Sequence, residues 1–310
     1  MRNLFTALLF LSFLAVFSCS RAPKLAFPLV QKYTTTAGDL FYFRPGDGQF
    51  VLLERRKALA VAVAPEPDIQ AYSYHDQITV SRPQGTTLQN TTFVKKIGAQ
   101  QSLAMTLDGR TLAGGDANGV VSLWDIATGN PALRLDLPGP ILCLAFSRDG
   151  NWLAIGLAKP GEAADTVWVY EIHSNGPHRS FGRAAVAALA WSADGRWLAA
   201  GLNDGSVLMS EAGAASEPKR IGLSASPIMG LDIHPSGLFL ASAHADKRVL
   251  LSKLPAGERL FAFEPTLPPN PLFPRVIERV AFDENGTHLA AAYAEGDFRI
   301  WDTSALATNN

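Results

Sequence analysis

Metal binding, nucleophilic attack and paired acid–base work each need particular side chains at particular spacings, and histidine is the first residue type to test. Six occur, His75, His173, His178, His234, His244 and His288. None stands at the short paired spacing that brings two imidazoles to one metal. The nearest two, His173 and His178, fall in the polar run "EIHSNGPH" and read as solvated turn histidines. Of the two cysteines, Cys143 sits inside the apolar run "ILCLAF" and reads as a buried thiol; two cysteines make no disulfide framework. The chain has no phosphate loop, no nucleophile elbow and no complete calcium loop, and "DENG", Asp283 to Gly286, reads as a hairpin turn before it reads as a calcium fragment. The expectation is no catalytic residue, no metal and no cofactor.

The elements that would position any site repeat along the chain. Apolar runs ending in a turn align as "SLAMTLDGRTLA", "LCLAFSRDGNWLA", "AALAWSADGRWLA", "GLDIHPSGLFLA" and "RVAFDENGTHLA", their turn glycines being Gly109, Gly150, Gly195, Gly237 and Gly286. The intervals are 41, 45, 42 and 49 residues. One period earlier, "LAVAVAPEPDIQAYSY" places a turn near Pro67, and "GDLFYFRPGDGQFVLL" matches "GVVSLWDIATGNPALRL" with Gly38 aligned to Gly119, which makes seven units with the first truncated. Each unit reads as four short strands joined by Asp-Gly and Asn-Gly turns, and no helical period appears. A four-stranded sheet of this size cannot bury both faces alone. Such units must therefore stack, and radial stacking removes most exposed edges.

Period, turn chemistry and a recurring Trp-Asp pair together resemble the WD-repeat β-propeller family over about residues 38–303. The pair is literal at Trp124-Asp125 and Trp301-Asp302; the same position holds Phe43-Arg44, Ser81-Arg82, Tyr170-Glu171, Ser210-Glu211 and Ser252-Lys253 elsewhere. The resemblance implies an all-β propeller of four-stranded antiparallel blades, seven in the favoured reading, with six or eight also compatible. It also implies an Asp six residues before the Trp, bonded across the blade to a Gly-His histidine. Asp204 and Asp246 stand there, with Asn118 and Glu295 as near substitutes, but no Gly-His pair occurs, so apolar packing has to hold the blades. Trp124 and Trp301 are expected to fill gaps between blades. The last unit stops at three strands, and Pro28 to Thr36 is a candidate to complete it and close the ring.

The N-terminus, "MRNLFTALLFLSFLAVFSCS", has a basic Arg2, an apolar run from Leu4 to Phe17 and then small residues, the pattern of an export signal. The run is shorter than the roughly 20 residues a membrane-crossing helix needs. "VFSC", Val16 to Cys19, resembles the lipobox of bacterial lipoproteins, and the resemblance implies lipidation of Cys19. With Ser20 rather than Asp beside it, the outer membrane is favoured, and a soluble periplasmic form is the expectation without lipidation. The division reads 1–18 signal peptide, 19–37 tether and possible ring-closing strand, 38–303 propeller and 304–310 tail.

A net charge of -1 calls for no nucleic-acid partner. The first strand of each unit would line the channel, and "ALAVAVA", "SLAMTL", "ILCLAFS" and "VAALAWS" carry no charge, leaving Asp232, Glu278 and Arg279 as exceptions. The chain is therefore expected to be a non-enzymatic scaffold for a partner protein of the cell envelope; the alternative is a propeller enzyme or small-ligand binder using the channel. Two long insertions, Ala158 to Thr166 and Glu264 to Arg275, fall on the same face. Arg55, Arg56, Lys57, Lys95, Lys96, Lys159, Arg183 and Arg275 are expected to make that face basic, with Leu267, Leu272 and Phe273 as apolar anchors. Asp47, Asp108, Asp149, Asp194, Asp283 and Glu284 are expected to make the other face acidic.

Overall fold

The fold is taken from a computed structural model, which describes residues 29–34, 40–44, 49–53, 60–64, 69–84, 87–95, 99–158, 164–173, 176–214, 216–263, 277–293 and 297–306. These residues are all-β apart from one short 3-10 turn at Ser304–Leu306. Strands β1 (Leu29–Thr34), β2 (Leu40–Arg44) and β3 (Gln49–Leu53) open the chain. Blade I follows as β4 (Ala60–Ala64), β5 (Ile69–Ser73), β6 (Gln77–Gln84) and β7 (Thr87–Lys95). Blade II is β8 (Gln100–Met105), β9 (Thr111–Asp116), β10 (Val120–Asp125) and β11 (Pro131–Asp136); blade III is β12 (Ile141–Phe146), β13 (Trp152–Leu157), β14 (Val167–Glu171) and β15 (Gly176–Phe181). Blade IV is β16 (Val186–Trp191), β17 (Trp197–Leu202), β18 (Ser206–Glu211) and β19 (Lys219–Gly222). Blade V is β20 (Ile228–Ile233), β21 (Phe239–His244), β22 (Val249–Lys253) and β23 (Glu258–Phe263), and blade VI contributes β24 (Ile277–Phe282), β25 (His288–Tyr293) and β26 (Asp297–Asp302).

Six sheets are four-stranded, antiparallel and ordered as the chain runs, except that blade VI takes β1 as its outer strand. β1 pairs antiparallel with β26, Lys32 opposite Arg299 and Thr34 opposite Asp297, so the two ends of the propeller share one sheet. The stretch read from sequence as a ring-closing segment contains this strand. β2 and β3 pair only with each other. Inner strands stand side by side in chain order, β4 beside β8, then β12, β16, β20 and β24. This is the β-propeller arrangement.

The sheets form because each second strand is a run of small and branched apolar residues that can be buried on both faces. In "WLAIGL" and "WLAAGL" every residue after the Trp is buried. Apolar clusters then lie between neighbouring blades. One joins Ile69 and Val80 of blade I to Leu112 and Trp124 of blade II, and another joins Phe239 and Leu251 of blade V to Leu289 and Trp301 of blade VI.

The turn from first to second strand repeats the same bonds. The residue after the inner strand is Thr106, Ser147, Ser192, His234 or Asp283, and its carbonyl accepts the N–H of the glycine three positions on. In the first three, its hydroxyl also accepts the N–H five positions on, at 2.9–3.0 Å. Those hydroxyls donate to Asp108, Asp149 and Asp194, whose carboxylates take a further backbone N–H.

Candidate functional site

The channel is lined by the inner strands, and a bulge in each of five of them decides which side chains reach it. The register slips between Gln100 and Ser102, Ile141 and Cys143, Val186 and Ala188, Ile228 and Gly230, and Ile277 and Arg279. Each extra residue breaks the strand's alternation and re-aims its neighbours. As a result Gln101, Leu142, Ala187, Met229 and Arg279 border a channel cavity of about 260 Å³ with Ser102 and Cys143. Leu142 is 41% exposed there. The Cys143 thiol lies 3.6 Å from the Val186 carbonyl, and burial pushes it up to about 12, which keeps it protonated and unreactive.

At the mouth on the turn side, a second cavity of about 360 Å³ is bordered by Phe146, Arg148, Trp191, Asp232 and Glu284. Arg148 of blade III reaches Glu284 of blade VI at 3.0 Å, over a cavity that blades IV and V also wall. Asp232 accepts the N–H of Phe282 in the next blade at 2.6 Å and that of Ile233 at 3.0 Å. Burial drives its carboxyl up to about 7 in spite of these bonds.

The repeat residues serve the fold. Trp124 and Trp301 are buried, 5% and 6% exposed, and the Trp301 ring centroid lies 4.7 Å from that of Phe263. Asp125 accepts the N–H and hydroxyl of Thr128, and Asp302 accepts the N–H of Ser304, so both cap the turn that follows. These bonds hold both carboxyls below the usual carboxylate range. Asp204 accepts from Ser206 and Arg220, and Asp246 from Arg248, within their own blades. Among the described residues neither is hydrogen-bonded to a histidine; they cap the second-to-third-strand turn.

Two further histidines lie inside the fold. His234 and His244 are 3% and 0% exposed. His234 accepts the Ser236 N–H at Nδ1, which leaves Nε2–H to donate to the Gly286 carbonyl of blade VI at 3.1 Å, and its ring meets Phe239 and Phe282 edge-on. His244 donates from Nδ1 to the Ser226 carbonyl and receives the Ser242 hydroxyl at Nε2. Burial lowers both imidazoles below their ordinary value and keeps them neutral. A signal existed for His234: the residue three before each turn glycine is polar in every aligned unit.

The proposed basic face is harder to assemble from its described parts. Arg183 pairs with Asp165 at 3.0 Å, while Arg134 pairs with Asp136, Arg220 with Asp204 and Arg248 with Asp246, all on the connection side. The described cations there stand beside carboxylates, because both signs recur at the same turn positions. Opposite, Asp108, Asp149 and Asp194 are engaged in turn bonds, with Arg110 and Arg196 beside them. Of the residues expected to make one face basic, Arg183 alone has a described side chain. Lys95 ends β7, while Cys19, Asp47, Arg55, Arg56, Lys57, Lys96, Lys159, Leu267, Leu272, Phe273 and Arg275 lie outside the described residues.

Among the described residues, no group of three or more His, Cys, Asp or Glu side chains is arranged to hold a metal ion. A family model described as WD domain, G-beta repeat matches residues 132–160 and 172–209, which run from the outer strand of one blade into the inner strands of the next. The match supports a WD-repeat family. No curated protein matches the chain.

Proposed function

We propose that this chain is a non-enzymatic scaffold that binds a partner protein of the bacterial envelope through the face carrying the blade-to-blade connections. The observation that carries the reading is the lining of the channel cavity, where among the described residues Arg279 is the one charged side chain, beside Gln101, Ser102, Cys143 and Leu, Ala, Val and Met side chains. Converging acids and bases would be needed there for catalysis. The WD-repeat match supports a protein-interaction role, since repeats of this kind generally bind other proteins. The two long segments, 158–166 and 264–275, both connect elements on the connection face. They supply Lys159, Arg275 and the apolar Leu267, Leu272 and Phe273, with Arg55, Arg56, Lys57, Lys95, Lys96 and Arg183 alongside.

The export reading belongs to the same proposal: cleavage before Cys19, lipidation of that residue and retention in the envelope facing the periplasm. Replacing Cys19 by Ala then releases the protein into the soluble fraction. An unmodified N-terminus by mass spectrometry overturns lipidation.

A pull-down from envelope membranes tests the binding role, with one protein expected in stoichiometric amount. Deleting Thr266 to Pro274, or changing Arg55, Arg56 and Lys57 to Glu, should abolish that capture with the melting temperature nearly unchanged. Capture that survives both changes rules this face out. One observation favours a second reading, a small-ligand site at the turn-side mouth: Asp232 and the Arg148–Glu284 pair place polar groups beside Trp191 and Phe146. Turnover of a substrate by purified protein would replace the scaffold reading altogether.

A further inference from the structure

The third strand of each blade carries one position that faces the preceding blade, and its occupant differs around the ring. Trp124 fills it between blades I and II, in one cluster with Ile69, Val80 and Ile126. Trp301 fills it between blades V and VI, against Phe239, Leu251 and Phe263. Tyr170 takes the place between blades II and III, clustered with Leu123. Between blades III and IV the residue is Ser210, and Arg179 of the preceding outer strand reaches in instead. Its guanidinium donates to the Ser210 hydroxyl at 3.0 Å and to the carbonyls of Ala214 and Ser216 at 2.5 and 2.7 Å.

Between blades IV and V the position holds no ring. The residue is Ser252, fully buried, and its hydroxyl has no hydrogen-bond partner. The alternation along β22 turns Leu251 toward blade VI, which leaves Ser252 and Leu254 facing blade IV; Leu254 indeed clusters with Met209 and Ile221. Toward the turn side a cavity of about 370 Å³ opens between the same two blades, walled by Trp197, Met209, Leu238, Leu254 and Pro255, with Ser252 outside its lining. By strand register Trp197 and Met209 occupy in blade IV the positions that Phe239 and Leu251 occupy in blade V, where they pack on Trp301. The walls that hold a tryptophan elsewhere in the ring are present, and the tryptophan is not. Leu238 is 38% exposed at the edge, one of three large apolar side chains so exposed among the described residues. Glu217 stands on the rim beside Glu211, which already pairs with Arg196 at 2.8 Å, and Lys219 donates across the gap to the Pro255 carbonyl at 3.1 Å.

We propose that this cavity is a tryptophan socket: it takes the indole of a tryptophan on a partner protein, with a Lys or Arg beside that tryptophan meeting Glu217. A buried aromatic in a pocket of this kind is the usual anchor of a protein interface. The inference rests on reading the chain as a protein-binding scaffold, but it puts a contact on the turn face at one inter-blade edge, away from the connection loops.

The test is isothermal titration of the full chain with the tripeptide acetyl-Lys-Trp-Lys-amide, with acetyl-Lys-Ala-Lys-amide as control. Saturable binding of the first peptide alone is expected. Leu254→Trp enlarges a side chain that walls the cavity and should plug the socket, weakening the peptide about tenfold or more. Leu238→Glu, on the exposed edge, should weaken it similarly and carries the test if the buried substitution does not fold. No binding to the unaltered chain overturns the socket, and so does equal binding to the unaltered chain and Leu238→Glu. Either result leaves capture through the connection face intact, because that capture is read by the loop deletion and the arginine reversals.

Discussion

Asp232 and His234, two residues apart, titrate against the fold in opposite directions. The Asp232 carboxyl is raised from an ordinary 3.8 to about 7 by burial. The folded chain therefore holds a proton there that the unfolded chain has lost, and stability falls as pH rises between about 4 and 7. His234 is lowered by burial, so the unfolded chain gains its proton first and stability falls as pH drops below the ordinary histidine value. Asp232→Asn isolates the first effect. It keeps an oxygen acceptor for one of the two backbone N–H groups and removes the titration. The difference in stability between Asp232→Asn and the unaltered chain should grow in the variant's favour from pH 5 to pH 7.5, measured by urea unfolding. A difference independent of pH would show that the carboxyl is not titrating in this window. His234 also couples blades V and VI, since Nε2 donates to Gly286 and the ring rests between Phe239 and Phe282. Its role is visible only across that interface.

The first-to-second-strand turn repeats five times with its glycine at φ between +68° and +73°, and comparison of two copies separates backbone conformation from crowding. At Gly195 an added Cβ has only Ser147 nearby, at 4.0 Å. Gly195→Ala should therefore cost only the left-handed conformation, about 1–2 kcal/mol. At Gly286 the same atom runs into the His234 ring, so Gly286→Ala must also displace the imidazole from its carbonyl and from Phe282. Its cost should exceed that of Gly195→Ala by about 2 kcal/mol or more. Equal losses in chemical unfolding would show that the His234 contact carries no weight. The inner-strand bulges are the other repeated element. They turn Gln101, Leu142, Ala187 and Met229 toward the channel, so its composition depends on which residue each strand inserts.

At the scale of the whole molecule, one pairing joins the two ends of the chain. β1 is the outer strand of blade VI, paired with β26 at five positions, and without it β26 becomes an open edge. At about 1 kcal/mol net for each ladder bond, a chain beginning at residue 37 should lose on the order of 5 kcal/mol. It should also self-associate through the bared edge in size-exclusion chromatography. A shortened chain that stays monomeric and melts where the full chain does would show that blade VI is complete with three strands. Charge at this scale is distributed as local pairs. The ion pairs on the connection face bring both signs to the same turns, and exposed pairs of this kind contribute little to stability.

The period, the four-strand unit and the turns were legible in the sequence because they depend on local chemistry. A glycine at positive φ, an Asp beside it and an apolar run on either side specify a hairpin wherever they occur. The apolar character of the inner strands was legible for the same reason. What required the tertiary structure involves two segments far apart in the chain. Tyr170, Arg179 and Ser252 give no hint singly of which gap is filled by a ring, which by a guanidinium and which by neither, because each gap is made by two blades. The contacts of His234 with Gly286 and Phe282 of the next blade leave no mark in the residues around it. The pairing of Arg183 with Asp165 could not be read from turn type, since an ion pair depends on which side chains share a turn in space. A strand's own residues decide that it is a strand. The edge it pairs with, and the gap its side chains fill or leave open, are decided by burial between blades, a term that exists only once they are assembled.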